Sequence, residues 1–168
     1  MGIDEAGRGA LAGPVAVGAI LVPRGFDWKL IAGVTDSKLL SPKRREEIFK
    51  IAKKLEKEGK LRTSVALVSH TIIDTKGITV AVQRGIDRTL VSLAPKPAST
   101  FIKLDGLLKA PKLYLHQKTI IKGDLLEKEI SLASIMAKVT RDRFMVRLAK
   151  KYPAYGFDIH KGYGTERH

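Results

Sequence analysis

Short apolar runs along the chain predict several β-strands. Residues 15–22 are rich in valine and small apolar residues, a pattern typical of a buried strand rather than a helix. The same reasoning predicts a short strand ending at Asp4 and further strands over residues 62–68, 101–104, 113–115 and 119–122. The first two strands are expected to form a hairpin that turns through the glycines around Arg8.

Three segments carry apolar residues at helical spacing. The first helix is expected to begin at Ser41-Pro42, because serine is a favoured cap and proline suits the first turn. The second covers about residues 79–93, and the third runs from residue 125 to about residue 150. Asp124 directly precedes the third helix, where a carboxylate favours the amino terminus as a cap.

This order of elements predicts an α/β protein with a mixed central β-sheet flanked by α-helices. Residues 33–40 and 152–168 are expected to be loops, and no repeat or linker divides the chain, so one domain over residues 1–168 is predicted. Asp4, Asp105 and Asp124 each fall at the carboxyl end of a predicted strand. Binding sites of open α/β sheets assemble at that edge.

Composition removes several classes of protein from consideration. Hydrophobic residues make up 44% and charged residues 29%, which suits a globular domain. The absence of cysteine excludes disulfides and thiolate sites and fits a reducing cytosol, so we expect a cytoplasmic protein. The longest apolar stretch, residues 10–22, is interrupted by glycine and proline and is too short to span a membrane.

The charge balance points to a polyanionic partner. Lysine and arginine number 31 against 17 acidic residues, giving a net charge of +14. Cationic charge of this size attracts nucleic acid through counterion release. A generally basic surface without such a partner is the alternative, and charge alone does not distinguish DNA from RNA.

Four acids are candidates for a metal site. Asp4 and Glu5 are adjacent carboxylates, which repel each other unless a cation or a proton neutralises them. With Asp105 and Asp124 they form an oxygen-only donor set, which suits Mg²⁺ or Mn²⁺. Three of the acids also have a plain structural interpretation: Glu5 as a surface acid, Asp105 as part of an Asp-Gly turn, and Asp124 as a helix cap.

The glycine-flanked arginine that follows these acids has two interpretations. Gly7 and Gly9 let the backbone approach a ligand closely, and Arg8 can present its planar fork to a phosphate. Residues 7–12 also match a dinucleotide-binding pattern, but that motif must open a helix. The Gly13-Pro14 pair and the strand predicted after it argue against a dinucleotide site.

Six blocks together resemble one known family, the bacterial type of ribonuclease HII within the type 2 ribonucleases H. The blocks are Asp-Glu-Ala-Gly-Arg-Gly at 4–9, Asp-Ser-Lys at 36–38, Leu-Asp-Gly at 104–106, Lys-Gly-Asp at 122–124, and the segments 133–142 and 160–165. The resemblance implies an RNase H-like fold and an endonuclease that cuts RNA within RNA–DNA hybrids. It also implies incision at single ribonucleotides in duplex DNA, leaving 5′-phosphate and 3′-hydroxyl ends.

The resemblance also assigns roles to particular residues. It implies that two divalent ions, Mn²⁺ or Mg²⁺, bind the catalytic acids Asp4, Glu5, Asp105 and Asp124. It implies that ribonucleotides are recognised by Gly7, Arg8, Gly9 and Tyr163, and that phosphates contact Lys38, Ser134 and Lys138. A packing role for the tyrosine and a solvated helix face for the last two remain open.

The expected assembly is a monomer that binds nucleic acid and no membrane. Relatives usually continue with further helices after the position of His168, so we expect a single RNase H-like catalytic domain over residues 1–168 without that helical extension. Two other functions remain open. One is a non-catalytic module that binds RNA–DNA hybrids, and the other is a different RNase H-like nuclease such as a junction resolvase.

Overall fold

A mixed five-stranded β-sheet forms the centre of the molecule. The computed structural model describes residues 1–166. The strands are β1 (Gly2–Ala6), β2 (Val15–Leu21), β3 (Arg62–Val68), β4 (Ile102–Asp105) and β5 (Gln117–Ile120). Their order across the sheet is β3-β2-β1-β4-β5. The first three strands are antiparallel neighbours, whereas β1, β4 and β5 run parallel.

Helices cover both faces of this sheet. They are α1 (Pro42–Lys57), α2 (His70–Lys76), α3 (Ile78–Leu93), α4 (Gly123–Leu126), α5 (Lys128–Lys151) and α6 (Phe157–His160). One buried cluster joins the sheet to α3 through residues such as Val17 and Ile86. A second cluster joins the opposite face to α5 and α1, with Ile20, Leu132 and Ile48 among its members. None of the helices within residues 1–166 is long and apolar enough to cross a bilayer.

Glycines let the long helix α5 lie directly against the sheet. A side chain at Gly18 of β2 would overlap the carbonyl of Ala133, and one at Gly2 of β1 would overlap the backbone at Glu129. Side chains alternate between the faces of a strand, so Asp4 lies on the same face as Gly2. The close contact therefore places Asp4 against α5.

The predicted fold class is confirmed, and the elements with the clearest sequence patterns lie where they were expected. The strand expected over residues 15–22 is β2, and the strand expected over 62–68 is β3. Helix α1 begins as predicted, with Ser41 Oγ accepting a hydrogen bond from the Arg44 amide at 3.2 Å. The mixed sheet flanked by helices matches the expected α/β architecture.

The segment before β5 differs from the prediction. Residues 113–115 do not form a strand: Tyr114 N donates to Pro111 O in a turn, and both flanking leucines point to solvent. The strand expected over residues 119–122 is β5 and ends two residues earlier, at Ile120. The apolar residues in this segment belong to a turn, and of these Tyr114 is buried.

The helical segments are more broken than the periodicity predicted. The chain from residue 125 does not form one helix, because Glu127 is extended (φ −125°, ψ 113°) and separates α4 from α5. The prediction missed α2, which Gly77 separates from α3 by its positive φ of 84°. The expected terminal loop contains a 3₁₀ turn at Pro153–Tyr155 and also α6, and its last two residues lie outside the described part.

Two of the acids also sit differently from the prediction. Asp4 lies in the middle of β1 rather than at its end, because pairing with β2 continues through Glu5 and Ala6. Asp124 lies in the first turn of α4 and does not cap it, since the capping position is held by Lys122 in a left-handed conformation. Asp105 is the last residue of β4, as predicted.

Candidate active site

Three acids that are far apart in sequence meet at the edge of the sheet where β4 ends, beside the middle of β1. One carboxylate oxygen from each of Asp4, Asp105 and Asp124 lies within 4.8 Å of the other two. Strands β1 and β4 are parallel neighbours, with Ile3 opposite Leu104, so Asp4 and Asp105 follow at the same level. The short helix α4 supplies Asp124.

The turn before α4 brings Asp124 to this edge. Gly123 N donates to Asp105 Oδ1 at 2.7 Å, which joins the end of β4 to the start of α4. A side chain at Gly123 would crowd Ile130 and lie 3.3 Å from the same carboxylate oxygen. The Lys-Gly-Asp sequence thus allows two carboxylates to approach each other closely.

Asp4 is the most deeply buried of the four acids. It is 4% exposed, and Glu5 N donates to its Oδ1 at 2.7 Å. Burial raises the pKa of Asp4 well above its usual range, and the neighbouring Glu5 and Asp105 carboxylates raise it further. The Ser134 hydroxyl and the Glu5 amide oppose this shift in pKa.

Glu5 has one satisfied and one unsatisfied carboxylate oxygen. Its Oε1 accepts a hydrogen bond from Arg8 Nη1 at 3.3 Å. Burial raises the pKa of Glu5, while Arg8 acts in the opposite direction. Its Oε2 is buried and has no hydrogen-bond partner among residues 1–166. A buried oxygen of this kind is costly unless a ligand satisfies it.

Lys38 is the cation nearest to Asp124. Its Nζ lies 3.3 Å from Asp124 Oδ2, and its side chain is 79% exposed. Burial and the Asp105 carboxylate raise the pKa of Asp124, and Lys38 partly offsets the shift. Burial lowers the pKa of Lys38, but the surrounding acids outweigh this effect and the net direction is upward.

The donor set fits hard divalent cations. It contains carboxylate oxygens alone, from Asp4, Glu5, Asp105 and Asp124, and hard cations such as Mg²⁺ and Mn²⁺ prefer such ligands. Burial, and after it the neighbouring carboxylates, raise the pKa values of three of these acids, so a bound cation would stabilise their charged forms. The orphaned Glu5 Oε2 would gain its missing partner.

A cavity of about 450 Å³ joins these acids to the glycine-arginine-glycine turn. Its lining contains every one of the expected site residues except Asp124: Asp4, Glu5, Gly7, Arg8, Gly9, Lys38, Asp105, Ser134, Lys138 and Tyr163. Asp124 adjoins the cavity through its contact with Lys38. The structure therefore brings all eleven expected residues together.

Tyr163 is held beside the glycine-rich turn by backbone pairing. It forms an isolated antiparallel bridge with Ala10, and the amides of Leu11 and Ala12 both donate to Gly162 O, at 2.9 and 3.2 Å. Lys138 Nζ lies 4.7 Å from the centroid of the tyrosine ring. Tyr163 thus borders the same cavity as Arg8.

Ser134 and Lys138 share one face of α5, as their spacing predicted. Ser134 Oγ lies 2.9 Å from Ser37 Oγ, which joins the helix to the loop that carries Lys38. Lys138 Nζ donates to Asp142 Oδ1 at 2.9 Å. Both side chains contact the cavity, so neither belongs to a purely solvated face.

Sequence reasoning missed two residues that organise this site. Asp36 is buried and accepts a hydrogen bond from the Lys38 amide at 2.8 Å, which shapes the loop before α1. Arg141 is fully buried under the glycine-rich turn. Its position seven residues after Ser134, on the same helical face, is a signal that could have identified it.

A cluster of carboxylates that shares a cavity with Arg8, Lys38 and Lys138, in a mixed sheet flanked by helices, is the arrangement expected of a metal-dependent nuclease. The family model for ribonuclease HII matches residues 1–168. Ribonuclease HII of Caldicellulosiruptor bescii is 43% identical over 167 residues, covering 99% of this chain and 76% of the relative. The chain belongs to the ribonuclease HII family, whose members are metal-dependent endoribonucleases that act on RNA–DNA hybrids.

Solved structures support the same fold. The ribonuclease HII of Archaeoglobus fulgidus, solved in a complex with PCNA, superposes with a TM-score of 0.75 at 29% identity, covering 99% of this chain and 81% of that one. Ribonuclease H2 of Pyrococcus horikoshii gives a TM-score of 0.71 at 31% identity, covering 98% and 80%. The sheet and its helices therefore form the RNase H-like fold, as the resemblance implied.

Proposed function

We propose that the protein hydrolyses the RNA strand of RNA–DNA hybrids and incises duplex DNA at single ribonucleotides, leaving 5′-phosphate and 3′-hydroxyl ends. The observation that carries this proposal is the convergence of Asp4, Asp105 and Asp124 within 4.8 Å, with Glu5 beside them. One catalytic domain over residues 1–168 would carry this activity, and the protein would act as a monomer in the cytoplasm.

Asp4, Glu5, Asp105 and Asp124 would hold two divalent ions, Mn²⁺ or Mg²⁺. Such ions supply an activated water and stabilise the leaving oxygen of a phosphodiester. The protein's own contribution is to hold these carboxylates together against their repulsion. The hydrogen bond from Gly123 N to Asp105 and the tight packing of β1 on α5 provide that rigidity.

The glycine-rich turn and Tyr163 would recognise the ribonucleotide. A 2′-hydroxyl both donates and accepts hydrogen bonds, and it distinguishes RNA from DNA. Gly9 has open space around its α-carbon, so the backbone of the turn can approach the sugar. Arg8 is half exposed at the cavity, and the Tyr163 ring offers a stacking surface for a neighbouring base or sugar.

Lys38, Ser134 and Lys138 would contact phosphates next to the cleaved bond. All three line the cavity, and Lys38 lies beside Asp124. Lys138 lies between Asp142 and the Tyr163 ring, which fixes its ammonium group at the border of the cavity. Cationic groups so close to the acids suit a polyanion that approaches the metal site.

The test compares three duplexes of one sequence: a full RNA–DNA hybrid, a DNA duplex with one ribonucleotide, and an all-DNA duplex. With Mn²⁺ or Mg²⁺ we expect cleavage of the first two and none of the third, and no cleavage with a chelator. Salt-dependent binding without cleavage would instead indicate a hybrid-binding module. Cleavage of the all-DNA duplex would indicate another RNase H-like nuclease, such as a junction resolvase.

A further inference from the structure

A fully buried arginine connects the two segments that border the ribonucleotide side of the cavity. Arg141 belongs to α5 and has no exposed surface. Its Nε donates to Pro14 O at 2.8 Å and its Nη2 donates to Ala12 O at 3.0 Å, both in the turn between β1 and β2. Its Nη1 donates to Lys161 O at 2.9 Å, two residues before Tyr163.

In the described part of the chain, backbone carbonyls, and no carboxylate, accept the hydrogen bonds of Arg141. None of the ion pairs formed within residues 1–166 includes it, although its guanidinium carbon lies 5.0 Å from the centroid of the Tyr163 ring. Burial of a cation without a carboxylate is costly, and here three backbone carbonyls that accept hydrogen bonds from Arg141 offset part of that cost. A planar fork can reach three carbonyls in different directions, which a lysine ammonium on a single stem does less well.

Both segments have backbone shapes that leave room for this contact. Gly7 has a φ of 94°, and a side chain there would overlap the Arg141 guanidinium. Gly162 has a φ of 82°, and a side chain there would overlap the Ala12 carbonyl. The glycine-rich turn therefore packs closely on Arg141, and the Tyr163 segment packs closely on that turn.

The same helix face reaches the catalytic acids. Ser134, Lys138 and Arg141 are spaced at i, i+4 and i+7, so they lie in one row along α5. The Ser134 hydroxyl interacts with Asp4, whereas Arg141 holds the turn and the Tyr163 segment. The helical rise places the two positions about 10 Å apart along one rigid element.

We propose that Arg141 is a positioning residue that joins the glycine-arginine-glycine turn and Tyr163 into one recognition unit and fixes that unit's distance from the catalytic acids. Arg141 does not touch the substrate in this account. The inference rests on the proposed function, because the unit it aligns is the one assigned to ribonucleotide recognition.

The test uses Arg141→Lys and Arg141→Met, with Arg88→Met as the matched control. Arg88 lies on α3, against the opposite face of the sheet, and donates to one backbone carbonyl, Leu67 O, at 3.2 Å. A misplacement of about 1 Å can cost about 10²-fold in rate, so we expect Arg141→Lys to lower kcat/KM on the single-ribonucleotide duplex by about 10²-fold. Mn²⁺ binding, measured by calorimetry, should not change, and Arg88→Met should cleave like the wild type.

A double-variant cycle with Tyr163→Ala separates positioning from general destabilisation. If the two segments act as one unit, Arg141→Lys should cause less than about a threefold further loss in the Tyr163→Ala background. A merely structural role would lower the folded fraction, and the two losses would then multiply.

Three results would overturn the inference: multiplying losses, wild-type cleavage by Arg141→Lys, or failure of both Arg141 variants to fold. Failure of the proposed function is a separate result, because the wild-type protein would then leave the single-ribonucleotide duplex intact.

Discussion

At the scale of single residues, the acidic cluster is held in a state that disfavours its own charge. Asp4, Glu5 and Asp124 all have raised pKa values, with burial as the largest cause and neighbouring carboxylates adding to it in each case. Arg8 and Lys38 provide partial neutralisation. A bound divalent cation would therefore stabilise the charged forms of these acids.

The first prediction concerns Asp4→Asn without metal. A raised pKa in the folded state means that Asp4 favours folding at low pH, and this contribution is lost as pH rises through the raised value. At neutral pH the variant removes an unfavourable buried charge, so we expect its Tm to rise by a few degrees, where about 1 kcal/mol corresponds to about 2–4 °C.

The difference in Tm between Asp4→Asn and the wild type should shrink as pH falls toward the ordinary range for aspartate. Asp74→Asn is the control, because Asp74 is exposed on α2 and is not one of the acids that converge at the site. Thermal unfolding measured from pH 4 to pH 8 with a chelator present tests this expectation. A lower Tm for Asp4→Asn at neutral pH would contradict the assigned origin of the pKa shift.

The second prediction reverses the order of stability when metal is added. Ligands that bind only the folded state stabilise it, by about 2.7 kcal/mol at 100 times the dissociation constant. Mn²⁺ should therefore raise the Tm of the wild-type protein and of Asp74→Asn, but have little effect on Asp4→Asn. Equal shifts in all three proteins would place the metal elsewhere.

At the scale of elements, the close packing of β1 and β2 on α5 holds Asp4 of β1 against that helix. Gly18 has no room for a side chain, since the carbonyl of Ala133 occupies that space. Gly9 lies in the cavity turn with open space around it and an ordinary φ. The two glycines thus serve different purposes, one in packing and one in access.

The third prediction contrasts Gly18→Ala with Gly9→Ala. Overpacking of a tight contact costs about 1–3 kcal/mol, so we expect Gly18→Ala to lower the free energy of unfolding by that amount. Gly9→Ala should leave stability unchanged and raise KM, because the added methyl group would stand between the turn and the sugar. Urea denaturation and steady-state kinetics on the same preparations test both expectations, and a stable Gly18→Ala variant would contradict the packing argument.

Local signals explain which elements could be predicted. Strands β2 and β3 and helix α1 are marked by valine-rich runs and a Ser-Pro start, which act within a few residues. The break at Glu127 and the turn around Tyr114 coincide with tertiary contacts, namely the ion pair of Glu127 with Lys103 and the packing of Tyr114 into the core. Periodicity alone could not reveal them.

The residues of the candidate site could be predicted from the sequence, but their geometry could not. The acids were recognised by residue type, but their arrangement depends on parallel pairing of β1 with β4 and on the turn at Lys122. The spacing of Arg141 from Ser134 indicates a shared helix face, but it does not show that the arginine side chain is fully buried. Its role depends on carbonyls from two segments far along the chain.

At the scale of the whole molecule, a net charge of +14 should make binding strongly dependent on salt. The fourth prediction is that log K for a hybrid duplex falls linearly with log salt, with a slope of about −0.9 per phosphate contact. Lys38→Met and Lys138→Met should each reduce that slope by about one. Lys76→Met, on the exposed surface of α2, should leave it unchanged, and equal slopes in all four proteins would contradict the assigned phosphate contacts.

The central claim is that the acids at the sheet edge carry out metal-dependent cleavage at a ribonucleotide. The most direct test is single-turnover cleavage of a duplex with one ribonucleotide by wild-type protein and Asp105→Asn at matched Mn²⁺ concentrations. Loss of a ligand that supports several kcal/mol of transition-state stabilisation predicts a rate about 10³-fold lower, with duplex binding retained. Cleavage by Asp105→Asn at the wild-type rate would contradict the account.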